Sequence, residues 1–147
     1  MAESIKSKYK PENPRKYKGD YRNIICRSSW ERKFCRWCDL NESILEWGSE
    51  EFFIPYLSPL DNRVHRYFPD FYMKIKENDG KVKRYVIEVK PLRYCVPPTK
   101  GRKQKRTFIR EVAEYAKNQA KWKAARSFCE MRQLNFKIVT EKELGVK

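Results

Sequence analysis

Between residues 68 and 90, apolar and polar positions alternate in two arms on either side of Asn78-Asp79-Gly80. Alternation flanking an Asp-Gly pair predicts a β-hairpin. On the first arm Phe71, Met73 and Ile75 share one face, with Asp70 and Tyr72 on the other. On the second, Tyr85, Ile87 and Val89 oppose Val86, Glu88 and Lys90, and Pro91 ends the run. Upstream, Trp30, Phe34, Trp37 and Cys38 recur at helical spacing and predict an amphipathic helix over residues 28–40. The run Glu51-Phe-Phe-Ile-Pro-Tyr56 predicts a first strand with Pro55 at its edge or end, and residues 58–62 a turn. Beyond Pro97-Pro98, a long helix is predicted over residues 107–132. Ile109, Val112, Ala116, Ala120 and Ala124 form its small-residue face, Trp122 and Phe128 widen it, and Gln119 lies beside it. Residues 136–140 predict a last strand, after which Thr140 and Glu143 can cap a short helical turn. Helix, three strands, helix, strand implies a mixed α/β layer fold whose final strand returns parallel to the sheet.

Composition adds a partner to that outline. The chain has 147 residues, enough for one cored domain, read as residues 21–147 behind a flexible basic arm over residues 1–20. Lys and Arg number 34 against 19 acids, a net charge of +15 that favours a polyanion, nucleic acid before an anionic membrane. No apolar run approaches a membrane span and no signal-like segment opens the chain, so a soluble intracellular protein is expected. Residues 100–106 carry Lys100, Arg102, Lys103, Lys105 and Arg106, read as a loop that is either a solvated charge run or a phosphate clamp. Five cysteines make an odd count, for which reduced thiols are the default. Cys35-Arg-Trp-Cys38 has the spacing of a zinc or redox pair, but it lies in a helical pattern where cysteines act as small hydrophobes.

The hairpin also carries candidate chemistry. A period of two brings Asp70, Glu88 and Lys90 together at one end of the ribbon. Glu and Lys two residues apart on a strand are commonly a solvated face, but charges in a run as apolar as Tyr85–Val89 need a partner or a purpose. Two carboxylates can hold a hard divalent cation, and an ammonium beside them can offset phosphate charge or position an attacking water. Glu31 lies on or beside the buried stripe of the first helix, where it is either a capping carboxylate for Ser28 or a metal-facing one. His65 can polarise a phosphate, or stand as an ordinary surface histidine.

Glu31, Pro69-Asp70 and Glu88-Val89-Lys90, in this order of elements, resemble the PD-(D/E)XK nuclease superfamily. The phrases Arg27-Ser-Ser-Trp-Glu31, Pro69-Asp-Phe71 and Glu88-Val-Lys-Pro91 look like the TnsA-type transposon end-cutting branch. Trp47-Gly-Ser49 and Asp61-Asn-Arg-Val-His-Arg66 look closer still to head completion nucleases of T-even-type tailed phages. The resemblance spans residues 27–144 and implies a restriction-endonuclease-like core. It implies a Mg²⁺-dependent endo- or exonuclease on double-stranded DNA, with Mn²⁺ substituting. Glu31, Asp70 and Glu88 would bind the metal and Lys90 would be catalytic. Implied partners are phage head or tail-joining proteins, and the implied location is host cytoplasm or virion. The rival reading is a basic joining protein that grips DNA without cutting it, for which carboxylates facing phosphate would be a handicap.

Overall fold

A computed structural model of the protein describes residues 6–146. The strands are β1 (Ser7–Tyr9), β2 (Ile24–Cys26), β3 (Ile44–Ser49), β4 (Ile54–Leu57), β5 (Val64–Tyr67), β6 (Phe71–Lys76), β7 (Val82–Val89) and β8 (Asn135–Val139). The α-helices are α1 (Ser29–Leu40), α2 (Lys105–Met131) and α3 (Glu141–Leu144). A four-stranded sheet in the order β3-β6-β7-β8 forms the centre, antiparallel except for the parallel β7–β8 pair. Two small sheets, β1–β2 and β4–β5, flank it. This is the mixed α/β architecture expected of a restriction-endonuclease-like core. The predicted hairpin is β6–β7, closed at Glu77–Lys81 where Gly80 takes φ +83°.

Period two splits the sheet between two cores. Phe71, Met73, Ile87 and Trp47 pack under α1 through Phe34, Cys35 and Cys38. On the opposite side Trp122 and Ala125 of α2 enclose Ile54, Tyr56 and Tyr67, with Phe136 and Ile138 of β8 packed against them. Cys35 and Cys38 thus serve as core residues, and Cys26 Sγ lies 3.4 Å from Cys35 Sγ. All five cysteines are free thiols.

Four local expectations are corrected. The first strand of the central sheet is residues 44–49, whereas the run from Glu51 to Tyr56 supplies β4 of a separate hairpin that packs on α2. Pro55 is tolerated within β4 because that sheet has only two strands. Trp37 lies 43% exposed, and Asp39 takes its place on the buried side of α1. On α2 the buried residues are Asn118, Trp122, Ala125 and Cys129, while Ile109 and Val112 are exposed. The buried residues fall in the middle and second half of the helix, from which Trp122 and Ala125 enter the core around Tyr56 and Tyr67. Finally, residues 7–17 of the expected flexible arm are packed on the core; Met1–Ile5 lie outside the described residues. The buried Asp39 carboxylate accepts bonds from the Tyr9 hydroxyl at 2.6 Å and from the Glu12 and Asn13 amides at 2.8 and 3.0 Å. The Lys16 ammonium donates to three carbonyls at the end of α1.

Candidate active site

Three adjacent strands deliver acids to one end of the sheet. Ser49 pairs with Phe71 and Phe71 with Ile87, so one step beyond each pair Glu50, Asp70 and Glu88 are cross-strand neighbours. The Glu50 amide donates to the Asp70 carbonyl at 3.2 Å. The first turn of α1 brings Glu31 to the same place. Ser28 caps that helix as expected, accepting the Glu31 amide at 3.2 Å. The Glu31 carboxylate returns to the Arg27 amide at 3.3 Å rather than to that of Ser28. One turn of geometry therefore serves both the cap and the site.

Carboxylate oxygens of Glu31, Glu50 and Asp70 lie within 4.8 Å of one another, all half-buried. Each is steered by a separate group. The Val89 amide donates to Asp70 Oδ2 at 2.8 Å. Arg27 Nε and Nη2 hold the two Glu50 oxygens at 2.8 and 3.1 Å. Glu88, expected among the ligands, stands next to this trio with its oxygens already engaged. The Tyr67 hydroxyl donates to Oε1 at 2.7 Å, and the Lys90 ammonium lies 3.6 Å from Oε2. Lys90 is fixed in turn by its amide, which donates to the Val139 carbonyl at 2.9 Å.

The electrostatics are those of crowded acids whose mutual repulsion outweighs the nearby cations at Asp70. Burial and then the charges of Glu88 and Glu31 push the Asp70 carboxyl well above the usual range. Burial also raises Glu31, with Glu50 and Glu88 adding to it. Hard oxygen donors that repel one another in this way fit a divalent cation of the Mg²⁺, Mn²⁺ or Ca²⁺ kind.

The structure brings together Glu31, Asp70, Glu88 and Lys90, as the sequence suggested, and adds Glu50, Arg27 and Tyr67. The long helix reaches the site through Lys121 rather than Gln119, which makes no hydrogen bond to it. Lys121 stands over the Tyr67 ring at 5.6 Å, its pKa lowered by burial first and then by Lys117. His65 lies outside the site, exposed and paired with Asp61 at 2.7 Å. Of the basic run, Lys100, Arg102 and Lys103 are loop residues, while Lys105 and Arg106 already belong to α2. Lys103 is paired with Glu111 at 2.7 Å. Among the described residues no helix is long and apolar enough to cross a membrane.

A family model described as TnsA-like endonuclease N terminal matches residues 41–141. That span contains Glu50, Asp70, Glu88 and Lys90 but not Glu31. The head completion nuclease of Enterobacteria phage T4 is 39% identical, over 95% of this chain and 95% of that protein.

Proposed function

Because the chain belongs to the TnsA-like endonuclease family and is a nuclease, we propose that it hydrolyses DNA phosphodiester bonds with Mg²⁺ during phage head completion. A divalent cation is what the family and the acid cluster call for; Mg²⁺, with Mn²⁺ as a substitute, is the finer reading. The observation that carries it is the convergence of Glu31, Glu50 and Asp70 beside the Glu88–Lys90 pair. Glu31, Glu50 and Asp70 would hold the cation, and Glu88 beside them would join through lone pairs that the Tyr67 bond leaves open. Bound there, the cation would supply Lewis-acid polarisation of the phosphoryl oxygen.

The remaining steps belong to side chains. Glu88 holds Lys90 at the mouth of the site, where the ammonium can orient the attacking water or offset charge developing on phosphate. Arg27 aims Glu50 by its paired N–H bonds. Lys100, Arg102, Lys103, Lys105 and Arg106 would follow the DNA backbone. Their place supports that reading: the first turn of α2 has no acid and no side-chain cap, so its unpaired amides and cations favour phosphate. Phage head or tail-joining proteins are the proposed partners, in host cytoplasm or virion, following the T4 protein's name.

Plasmid cleavage tests this. Cutting should require Mg²⁺ or Mn²⁺, and Asp70→Asn and Lys90→Ala should each abolish it. Full activity in EDTA would overturn the metal reading. DNA retention without cutting under any divalent cation would favour the joining-protein alternative.

A further inference from the structure

A groove of about 650 Å³ lies between α2 and the segment that follows β7, and the mechanism above makes no use of it. Its walls include Tyr94, Val96 and Pro97 on one side and Arg110 and Tyr115 on the other, with Asn118 also lining it. Asn118 is only 8% exposed, and its side-chain amide forms no hydrogen bond among the described residues. Its amide atoms are not among the solvent-excluded polar atoms that lack a partner, which among the described residues are Trp47 Nε1 and Trp122 Nε1, so the amide is open to a ligand in the groove. The charge of the groove is equally telling. Its acids Glu111 and Glu114 are neutralised by Lys103 and Lys117 at 2.7 and 2.8 Å, which leaves Arg110 without an acid partner among the described residues. Arg93 stacks on the Tyr94 ring at 4.6 Å, so a cation and an aromatic face are presented together.

Aromatic rings, unpaired guanidinium and a free amide match a nucleotide: base on ring, phosphate on cation, base edge on amide. Bases in a closed duplex are stacked on one another and cannot lie on these rings, whereas those of a single strand can. The groove also adjoins the site. Arg93 follows Lys90 by three residues, and Asn118 precedes Lys121, whose charge is felt by Glu88 and Lys90, by less than one turn of α2. We infer that this groove binds an unpaired DNA strand leaving the active site, so that the protein prefers splayed or frayed DNA ends to closed duplex. The inference rests on the nuclease reading of the adjoining acids.

Fluorescence anisotropy in EDTA tests it, with a blunt duplex and the same duplex carrying a short splayed single-stranded end. The unaltered chain should bind the splayed end about tenfold more tightly, and Asn118→Ala or Tyr115→Ala should reduce that preference to within about twofold. Asn118→Ala removes an amide with no protein partner, so its Tm should not fall. If Tyr115→Ala melts early, Arg110→Ala, an exposed position, takes its place. Equal affinities for the two ends in the unaltered chain, or variants that weaken both alike, would overturn the inference. Plasmid cleavage by the unaltered chain is scored separately. Cutting without a preference for splayed ends sinks only the groove, and preference without cutting sinks only the nuclease.

Discussion

Glu50 has φ +53°, a left-handed backbone conformation that costs a non-glycine residue on the order of 1–3 kcal/mol. Strain at a residue whose carboxylate faces two others is explained if the carboxylate is needed there. Glu50→Gly should therefore raise the Tm of the metal-free protein while cleavage is lost. Glu50→Gln and Glu31→Gln should each keep the fold and raise the Mg²⁺ concentration needed for cutting; an unchanged requirement in either would remove that residue from the metal set. Asp70 and Glu31 predict a pH dependence as well. Their folded pKa values are raised, so the folded state binds protons more tightly than the unfolded one. The contribution of these two groups to metal-free stability should be fully present below the ordinary carboxyl range and be lost as pH rises through the raised values. Asp70→Asn should reduce that loss, and Mg²⁺ should offset it with release of protons. Melting curves across pH, with and without Mg²⁺, read both effects. Asp70, Glu88 and Lys90 were legible in the sequence because alternation alone fixes their face and end of the hairpin. Glu50 was not, because its role depends on strand register across β3 and β6, and the apolar run after it looked more like the first strand.

Among elements, β3 shows why that run misled. Ile44–Ser49 reads as a weak strand, Gly48 included, and is completed by the N-terminal segment laid over it. The Lys18 amide donates to the Trp47 carbonyl at 2.7 Å, and the Tyr17 hydroxyl donates to Glu51 at 2.5 Å while accepting the Ser49 amide at 3.0 Å. This holds the backbone on both sides of Glu50. A Cβ at Gly48 would come within 2.9 Å of the Lys18 carbonyl oxygen, so only glycine allows the approach. Gly48→Ala should cost on the order of 1–3 kcal/mol in denaturant unfolding and disturb cleavage more than the reduced stability explains, since Glu50 shifts with the strand. Wild-type stability in that variant would show that the segment gives way freely. A segment with this many lysines reads as solvated from composition alone. Its anchors, Tyr9, Tyr17 and the buried Asp39 that receives it, lie far apart in sequence and carry no periodic signal. On α2 the helical period was legible, but which turns meet the sheet depends on where the helix starts relative to the sheet edge, and no local pattern records that.

For the whole molecule, a net charge of +15 around a cluster of acids sets up two opposed demands. The surface draws DNA in, and the site repels phosphate until a cation compensates it. Binding without metal should therefore be carried by the basic surface and depend steeply on salt. The five cations of residues 100–106 are not equivalent in this. Lys103 neutralises Glu111, so replacing it both removes a cation and uncovers an acid that repels phosphate. Arg102, Lys105 and Arg106 have no acidic partner among the described residues, and each can release a counterion on meeting phosphate. Replacing these three with Gln should weaken binding to duplexes of any sequence and flatten the plot of log Kd against log salt, by up to ~0.9 for each phosphate no longer neutralised. The splayed-end preference should survive, because Tyr115 and Asn118 set it. The same three changes should raise KM for cleavage far more than they lower kcat, since they remove attraction and not chemistry. An unchanged salt slope would show that the run is only a solvated surface and move the DNA track elsewhere. The next candidate is then the polar hollow lined by Lys18, Lys74, Lys83 and Arg84, where the same salt titration on their Gln variants decides.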